Sequence, residues 1–298
     1  MKQVEVVLGF DMETDVGSWT HDYRGVAEGT EQILRLLQKY AVPATYFWVG
    51  ETARRFPGLV KDTAAGGNEA GCHSLFHETV GNPIFDIPGV YPVRTNELQD
   101  RLIENKRIVD QAAGRPAVSF RAPRLFGSTE LVNTLLKIGF IADASYPLYH
   151  FGNRLSPYRP SADDWTQEGS LELVEIPNFA DVTMRSEDAY GRDRDQWPLL
   201  RTAGADVMGE KIDGFVTELG RREIERPVVC IYLHPWEFVP MPQGEVFIGE
   251  GYVRPLPFLV ENCGAYALNQ LERLVQLLLE KDFRFTTCET IAASRLRE

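Results

Sequence analysis

The amino-acid sequence predicts an α/β fold in which parallel strands form a barrel or a doubly wound sheet. Short apolar runs alternate with helical patterns along the 298 residues, as in repeated strand–helix units. Polar residues also follow directly after several predicted strands, and in such folds the carboxyl ends of the strands carry the active site. No repeat, low-complexity tract or linker divides the chain, so we expect a single domain over residues 1–298.

Apolar runs of strand length predict the sheet. The first run, at residues 4–10, is almost wholly apolar and ends at Asp11, which is typical of a strand buried on both faces. Pro43 closes the turn before the second strand, and the seventh run ends at His234. The predicted strands lie at residues 4–10, 44–49, 68–72, 117–120, 140–142, 171–176, 228–233 and 283–287.

Helical periodicity predicts the segments between these strands. Leucine and isoleucine recur at helical spacing in the first helix, and the last helix is amphipathic. Thr95 is positioned to cap the third helix, and Ser128 to cap the fourth. The predicted helices lie at residues 31–40, 56–65, 95–113, 128–138 and 267–281.

Three segments rich in glycine, proline and polar residues are predicted to be loops. The segment at residues 81–93 follows the third predicted strand. The segments at residues 180–206 and 237–262 are longer, and loops of that length often form the rim of a functional site.

The composition limits the partners and the compartment. The net charge of −12 argues against nucleic acid or an anionic membrane as the main partner. No stretch is long enough to span a bilayer and no apolar signal segment precedes the first strand, so we expect a cytoplasmic protein. The four cysteines are widely spaced and form no CxxC, which indicates neither a thiolate zinc site nor a disulfide framework. The long loops are compatible with a homo-oligomer, although no pattern specifies one.

Two histidines four residues apart, His73 and His77 in EAGCHSLFHE, indicate a metal site. At that spacing two imidazoles can project from one turn of backbone toward the same divalent ion. A bare HxxxH pair is also compatible with a polar surface loop. The other predicted strand ends favour the metal site, because they supply carboxylates, an arginine and a third histidine.

A carboxylate cluster at the end of the first strand could complete this site. The segment GFDMETD contains Asp11, Glu13 and Asp15. Alternation along an extended segment would direct Asp11 and Glu13 to the same side. Neighbouring carboxylates repel each other, and a bound metal relieves that repulsion while one carboxylate stays free as a base. A solvated turn is the alternative for this segment taken alone.

Further polar residues lie at other predicted strand ends. Arg121 in FRAPRLFG could hold a buried aspartate in its ionised form, or it could be a surface charge. His234 in CIYLHPW stands where a general acid would act, although a lone histidine there is often a buried structural residue. Asp143 and Glu175 are each as compatible with a structural role as with orienting the site residues.

The chain contains, in this order, the motifs FDME, HSLFH, RAP and LHP. Their order and approximate spacing resemble those of the motifs of the polysaccharide deacetylase family (NodB homology, carbohydrate esterase family 4). The resemblance covers residues 4–287. The resemblance implies a distorted (β/α) barrel of about seven strands with long rim loops, and a zinc-dependent hydrolase of acetamido sugars. The roles that it implies are metal ligands for His73 and His77, catalytic base for Asp11, partner of the base for Arg121, and general acid for His234.

One departure from the family pattern concerns the carboxylates. Typical members carry T-F-D-D-G where this chain has F-D-M-E-T-D, so the second acid is Glu13, with Asp15 as the alternative. This pattern is similar to the intracellular branch of the family, which includes cytoplasmic peptidoglycan deacetylase-like proteins and allantoinase-like cyclic amide hydrolases.

We therefore expect a hydrolase of non-peptide carbon–nitrogen bonds. In the first interpretation, a divalent metal on Glu13, His73 and His77 activates the water that deacetylates an N-acetylated sugar or polysaccharide. Ring opening of a small cyclic amide is the alternative substrate chemistry, and a non-catalytic carbohydrate- or metal-binding protein is a third class. Histidine and carboxylate ligands suit Zn²⁺, and they also admit cobalt, nickel, manganese or iron.

Overall fold

The computed structural model of the protein describes residues 3–247 and 251–297. In that part of the chain, one sheet has eight strands and a second has two. The strands are β1 (Glu5–Met12), β2 (Thr45–Trp48), β3 (Glu69–Cys72), β4 (Ser119–Phe120), β5 (Ala142–Asp143), β6 (Val174–Glu175), β7 (Val228–Leu233), β8 (Val246–Phe247), β9 (Tyr252–Val253) and β10 (Arg284–Thr286).

Helices connect most of the strands. They are α1 (Asp15–Ser18), α2 (Thr30–Lys39), α3 (Gly50–Arg55), α4 (Pro57–Thr63), α5 (Thr95–Ala113), α6 (Thr129–Lys137), α7 (Leu148–Phe151), α8 (Leu199–Thr202), α9 (Ala205–Arg221), α10 (Pro257–Val260), α11 (Ala265–Glu280) and α12 (Cys288–Arg295). A π-helical turn forms at Gly25–Gly29, and 3₁₀ turns form at Pro123–Leu125, Arg192–Arg194 and Pro235–Phe238. Within the described residues, no helix combines the length and the apolar character needed to cross a membrane.

Seven parallel strands curl into a distorted barrel in the order β7-β1-β2-β3-β4-β5-β6. β1 pairs with β7 along one edge, and with β10 and then β2 along the other. Beyond β6, Asn178 forms a parallel bridge to Cys230 in β7, which brings the two ends of the curled sheet together. The predicted distorted (β/α) barrel of about seven strands is confirmed.

The central position of β1 explains its composition. All eight of its residues are buried, since the strand has neighbours on both edges and packed layers on both faces. Asp11 and Met12 therefore extend the buried run beyond the predicted end of the strand. Because β1 to β7 are parallel, their carboxyl ends meet at one end of the barrel, where the predicted site residues lie.

The two predicted helix caps have different outcomes. Ser128 caps α6, since its Oγ accepts the backbone N–H of Leu131 at 3.1 Å. The prediction for Thr95 is wrong: α5 begins at Thr95 itself, and the preceding Arg94 has extended backbone without a side-chain cap. Thr95 Oγ1 instead donates to Glu130 at 3.3 Å, so the hydroxyl is used for a contact between α5 and the start of α6.

The two long predicted loops are partly ordered into short elements. Residues 180–206 include α8 and the first residues of α9, while residues 237–262 include the β8–β9 hairpin and α10. Residues 248–250 of the second segment lie outside the described residues. Seven of the helices in the described residues were not predicted, namely α1, α3, α7, α8, α9, α10 and α12. In α9 the buried Met208, Ile212 and Phe215 recur at helical spacing, so the signal was present in the sequence.

Candidate active site

The carboxyl ends of four strands bring together polar residues that the sequence singles out. Asp11 lies near the end of β1, and Glu13 comes directly after it. His73 follows β3, Arg121 follows β4 and His234 follows β7. All five residues are buried, and the most exposed of them, His234, is 9% exposed. The parallel topology thus assembles at one end of the barrel residues that are more than 200 positions apart in sequence.

Glu13, His73 and His77 form a cluster whose donor atoms could hold a metal ion. Their ligand atoms all lie within 4.8 Å of one another. Glu13 Oε2 is 2.6 Å from His77 Nε2 and 3.8 Å from His73 Nε2. Two imidazole nitrogens and one carboxylate oxygen are a donor set found in catalytic zinc sites, where a further coordination position remains for water or substrate.

Hydrogen bonds from outside the cluster orient two of its members. His73 Nδ1 donates to the carbonyl oxygen of Arg121 at 2.7 Å, so Nε2 is the nitrogen whose lone pair faces the cluster. Trp236 Nε1 donates to Glu13 Oε1 at 3.4 Å, which leaves Oε2 directed at the two imidazoles. Metal-binding histidines and carboxylates are commonly fixed in this way by their second polar atom.

A tight turn after β3 places His77 next to His73. Ser74 and His77 both have left-handed backbone conformations, with φ of +63° and +62°. Glu78 closes the turn by accepting hydrogen bonds from Ser74 Oγ at 3.1 Å and from the backbone N–H of Phe76 at 2.5 Å. The two imidazole centroids are 5.2 Å apart. The histidine pair is therefore presented by a turn and not by a helix.

The protonation states of Glu13 and His77 suit a cation. Burial opposes the charge on Glu13, but the neighbouring His77 and His234 hold its pKa well below its ordinary value. Burial lowers the pKa of His77 in spite of the adjacent carboxylate, so its imidazole is neutral at neutral pH. An ionised carboxylate with a neutral imidazole is the state that a divalent metal binds.

Asp15, the alternative carboxylate, has a different contact set. Its two oxygens accept the backbone N–H groups of Arg24 at 3.0 Å and Gly25 at 2.8 Å. Asp15 thereby fixes the loop that follows β1. Of the two acids that the sequence left open, the structure brings Glu13 to the histidines.

Arg121 pairs with Asp11 behind the cluster. Its Nη1 donates to Asp11 Oδ1 at 2.8 Å, while Asp11 Oδ2 is 3.9 Å from His73 Nε2. Arg121 also donates to the carbonyl oxygen of Ala144 at 3.2 Å and to Asn178 Oδ1 at 3.1 Å. Although burial opposes the positive charge, the Asp11 carboxylate raises the pKa of Arg121. The pair therefore keeps one aspartate oxygen bound and presents the other to the cluster.

The core of the barrel is shaped to admit this guanidinium. A Cβ on Gly9 would lie 2.4 Å from Arg121 Nη1, so the absence of a side chain in β1 makes the space. On another side, the guanidinium carbon lies 4.3 Å from the centre of the Phe47 ring in β2. Packing and charge together hold Arg121 in one position.

His234 contacts Glu237, which forms a buried ion pair with Arg201. Neither Glu237 nor Arg201 was among the predicted site residues. His234 Nδ1 lies 3.0 Å from Glu237 Oε1, which also accepts the backbone N–H of His234 at 2.9 Å. Glu237 Oε2 accepts from Arg201 Nε at 2.8 Å, and both side chains are at most 2% exposed. The signal for Glu237 was its position three residues after the histidine in LHPWE, whereas nothing in the sequence pointed to Arg201.

Burial and charge set the protonation of His234. Burial alone would lower its pKa, but the Glu13 and Glu237 carboxylates outweigh that effect and raise the pKa to about 9. The imidazolium form therefore predominates at neutral pH. Burial also opposes the charge on Glu237, but its contacts with His234 and Arg201 lower its pKa.

Asp143 and Glu175 form a buried carboxyl pair outside the cluster. Burial raises the pKa of Asp143 to about 7, and burial together with Asp143 raises the pKa of Glu175 well above its ordinary value. Glu175 accepts the backbone N–H groups of Ser145 at 3.0 Å and Tyr146 at 2.8 Å. Since Ala144 in the same loop accepts from Arg121, the carboxyl pair supports the position of that arginine.

A cavity of about 450 Å³ opens onto these residues. Asp11, Glu13, His73, His77 and His234 lie in its wall. Much of the remaining wall is apolar or aromatic, and it includes Trp19, Phe85, Trp197, Leu256 and Phe258. Volumes of this size are typical of small-molecule sites.

Comparisons with known proteins identify relatives over part of the chain. Residues 3–142 match the sequence model of the polysaccharide deacetylase family. The peptidoglycan deacetylase of Helicobacter pylori is 27% identical over 202 residues, which are 59% of this chain and 65% of that protein. A peptidoglycan-N-acetylglucosamine deacetylase of Bacillus cereus is 30% identical over 121 residues, which are 41% of this chain and 36% of that protein. The matches thus span less than two thirds of either relative.

The same architecture occurs in solved structures. The crystal structure of PuuE allantoinase aligns with a TM-score of 0.62 over 98% of this chain and 90% of that chain, at 15% sequence identity. At that identity the likeness shows a shared fold.

Proposed function

Because residues 3–142 match the model of the polysaccharide deacetylase family, we propose that the protein hydrolyses the acetamide group of an N-acetylated sugar with the help of a divalent metal. One observation carries the proposal. A cluster of metal-binding donors, a carboxylate paired with a buried arginine and a protonated histidine line the same cavity. These are the groups that metal-assisted hydrolysis of an amide requires.

Glu13, His73 and His77 would hold the metal. Their donor set and the protonation states of Glu13 and His77 fit a divalent cation, and Zn²⁺ is the ion that we propose. When bound, such a cation would polarise the amide carbonyl and lower the pKa of a water molecule from about 15.7 toward about 7.

Asp11 would act as the general base. Its Oδ1 is bound to Arg121, and its Oδ2 points toward the cluster, 3.9 Å from His73 Nε2. A water molecule beside the cluster would lie within reach of Oδ2, which takes its proton as the oxygen attacks the amide carbon. The hydrogen bond from Arg121 Nη1 to Oδ1 at 2.8 Å holds the carboxyl group in this position.

His234 would act as the general acid. Its Nε2 is 3.9 Å from Glu13 Oε1, so it lies beside the cluster, and its pKa of about 9 keeps it protonated at neutral pH. It donates this proton to the departing nitrogen, which leaves as an amine. Glu237 orients the ring by binding Nδ1 and leaves Nε2 as the donor.

Ring opening of a small cyclic amide is a second candidate function. The observation that favours it is the form of the site, a cavity of about 450 Å³ with aromatic walls, which suits a compact molecule. With the same base, acid and metal donors, a water molecule would attack the carbonyl of either substrate.

Acetate release distinguishes the two candidates. Zinc-loaded protein is incubated with N-acetylglucosamine, its tetramer and allantoin, and acetate and ring-opened product are quantified. Acetate from either sugar, with loss of the activity in Asp11→Asn, would support deacetylation. Ring opening of allantoin without acetate release would support the second candidate. No hydrolysis of any N-acetylated sugar or cyclic ureide would contradict both.

A further inference from the structure

Arg124 contributes a guanidinium to the cavity wall, and the proposed hydrolysis does not use it. The residue follows Pro123 in the turn after β4, and it is partly buried. It lines the same cavity as Glu13, His73 and His77, and its charge acts on Glu13 and His77. A ligand group bound by Arg124 would therefore lie close to the amide that water attacks beside the cluster.

The backbone at Arg124 is held in an uncommon conformation. Arg124 and Leu125 have φ of +59° and +60°, and neither is glycine. Hydrogen bonds fix this turn, since Leu125 N–H donates to Ala122 O at 2.9 Å and Phe126 N–H donates to Pro123 O at 3.2 Å. Left-handed conformations of such residues cost free energy and concentrate at sites of function.

Within the described part of the chain, the guanidinium of Arg124 forms no hydrogen bond and no ion pair within 4 Å. The contrast with the fully buried arginines is clear. Arg121 is paired with Asp11, and Arg201 with Glu237. Removing a charge from water is costly without a counter-ion. Arg124 therefore has the capacity to bind an anion that the protein itself does not supply.

The carboxyl groups of the cavity are already engaged. Asp11 binds Arg121, and Glu13 faces the two histidines. Asp195 accepts the hydroxyl of Tyr232. A bound divalent cation would add further positive charge. The cavity is thus a region that favours anions in a protein whose net charge is −12.

We propose that Arg124 binds a carboxylate of the substrate, so that the preferred substrate is an acidic N-acetylated sugar whose carboxylate lies close to the acetamide group. This inference rests on the proposed function for the reacting bond. A carboxylate is favoured because its planar pair of oxygens matches the parallel N–H groups of one guanidinium. The apolar walls of the cavity accommodate the body of a single sugar.

N-acetylmuramic acid and N-acetylglucosamine form a matched pair of probes, since the first adds a lactyl carboxylate to the ring of the second. Their binding to zinc-loaded and zinc-free protein is measured by titration calorimetry, and acetate release is measured alongside. The wild type is expected to prefer the acid. Because hydrogen bonds to charged groups contribute about 1.5–3 kcal/mol, Arg124→Gln should weaken binding of the acid by about 10- to 100-fold and leave the neutral sugar unchanged. Arg35→Gln, at an exposed position on α2, is the control for charge removal.

The outcomes separate this inference from the proposed function. Equal binding of the two sugars by the wild type would overturn the inference, and so would undiminished binding of the acid by Arg124→Gln. Undiminished binding of the acid by Arg124→Gln would mean that the carboxylate contacts the metal alone. If no acetate is released but binding of the acid depends on Arg124, the inference stands and the proposed reaction fails. If both sugars are hydrolysed and bound equally, the reaction stands and the inference fails.

Discussion

The substitution Glu237→Gln should move the alkaline limb of the pH–activity profile to lower pH. Glu237 binds His234 twice, through the imidazole Nδ1 at 3.0 Å and through the backbone N–H at 2.9 Å. Glu237→Gln keeps the length of the side chain and removes its charge. The imidazolium of His234 then loses a buried counter-ion, while its position is largely retained.

The size of the shift follows from the contact that is lost. A hydrogen bond to a charged group contributes about 1.5–3 kcal/mol, and one pKa unit corresponds to about 1.36 kcal/mol. The pKa of His234, which Glu13 and Glu237 raise to about 9 against the effect of burial, should therefore fall. A general acid is active below its pKa and inactive above it. The alkaline limb should thus move down by about one to two pH units.

The assay is acetate release by zinc-loaded protein between about pH 5 and 10 at constant ionic strength, with kcat/KM as the readout. Glu237→Asp keeps the charge and should retain the limb of the wild type. Glu218→Gln removes a carboxylate on α9 that pairs with Arg222, and it controls for the change in net charge. If Glu237→Gln lowers activity equally at every pH and leaves the limb in place, Glu237 does not set the acidity of His234 and the reasoning is refuted.

Two further substitutions test the base and its support. Gly9→Ala would place a Cβ 2.4 Å from Arg121 Nη1, so we expect a lower Tm and lower kcat. Gly214→Ala in α9, where a Cβ meets nothing within 4 Å, should raise stability by about 0.5–1 kcal/mol, and a loss there equal to that of Gly9→Ala would contradict the argument. Asp11→Asn should lower kcat by about 10²- to 10⁴-fold with unchanged zinc content, whereas near-normal kcat would exclude Asp11 as the base.

The fold was largely predictable because its signal is local. Each apolar run in the parallel barrel is buried on both faces, so strands such as β1 and β7 stand out from composition alone. The caps were less predictable. Thr95 and Ser128 look equivalent in sequence, but the contact of Thr95 with Glu130 depends on how α5 and α6 pack.

The site was predictable where motifs carried it and hidden where tertiary contacts did. His73 and His77 share one short motif, and Glu13 lies in another. The choice between Glu13 and Asp15 could not be made from spacing, since it depends on which acid caps the N–H groups of the next loop. Arg201 and Glu237 are 36 positions apart, and a single sequence does not reveal a contact at that separation.

The central claim is that Glu13, His73 and His77 hold the metal on which hydrolysis depends. The direct test is a titration of Zn²⁺ into metal-stripped protein, with acetate release recorded at each addition. We expect no activity before addition and a plateau at one zinc per chain. His77→Ala should stay inactive at that ratio, and His21→Ala, at an exposed position, should behave as the wild type. Full activity of the stripped protein, or an unaltered titration of His77→Ala, would contradict the claim.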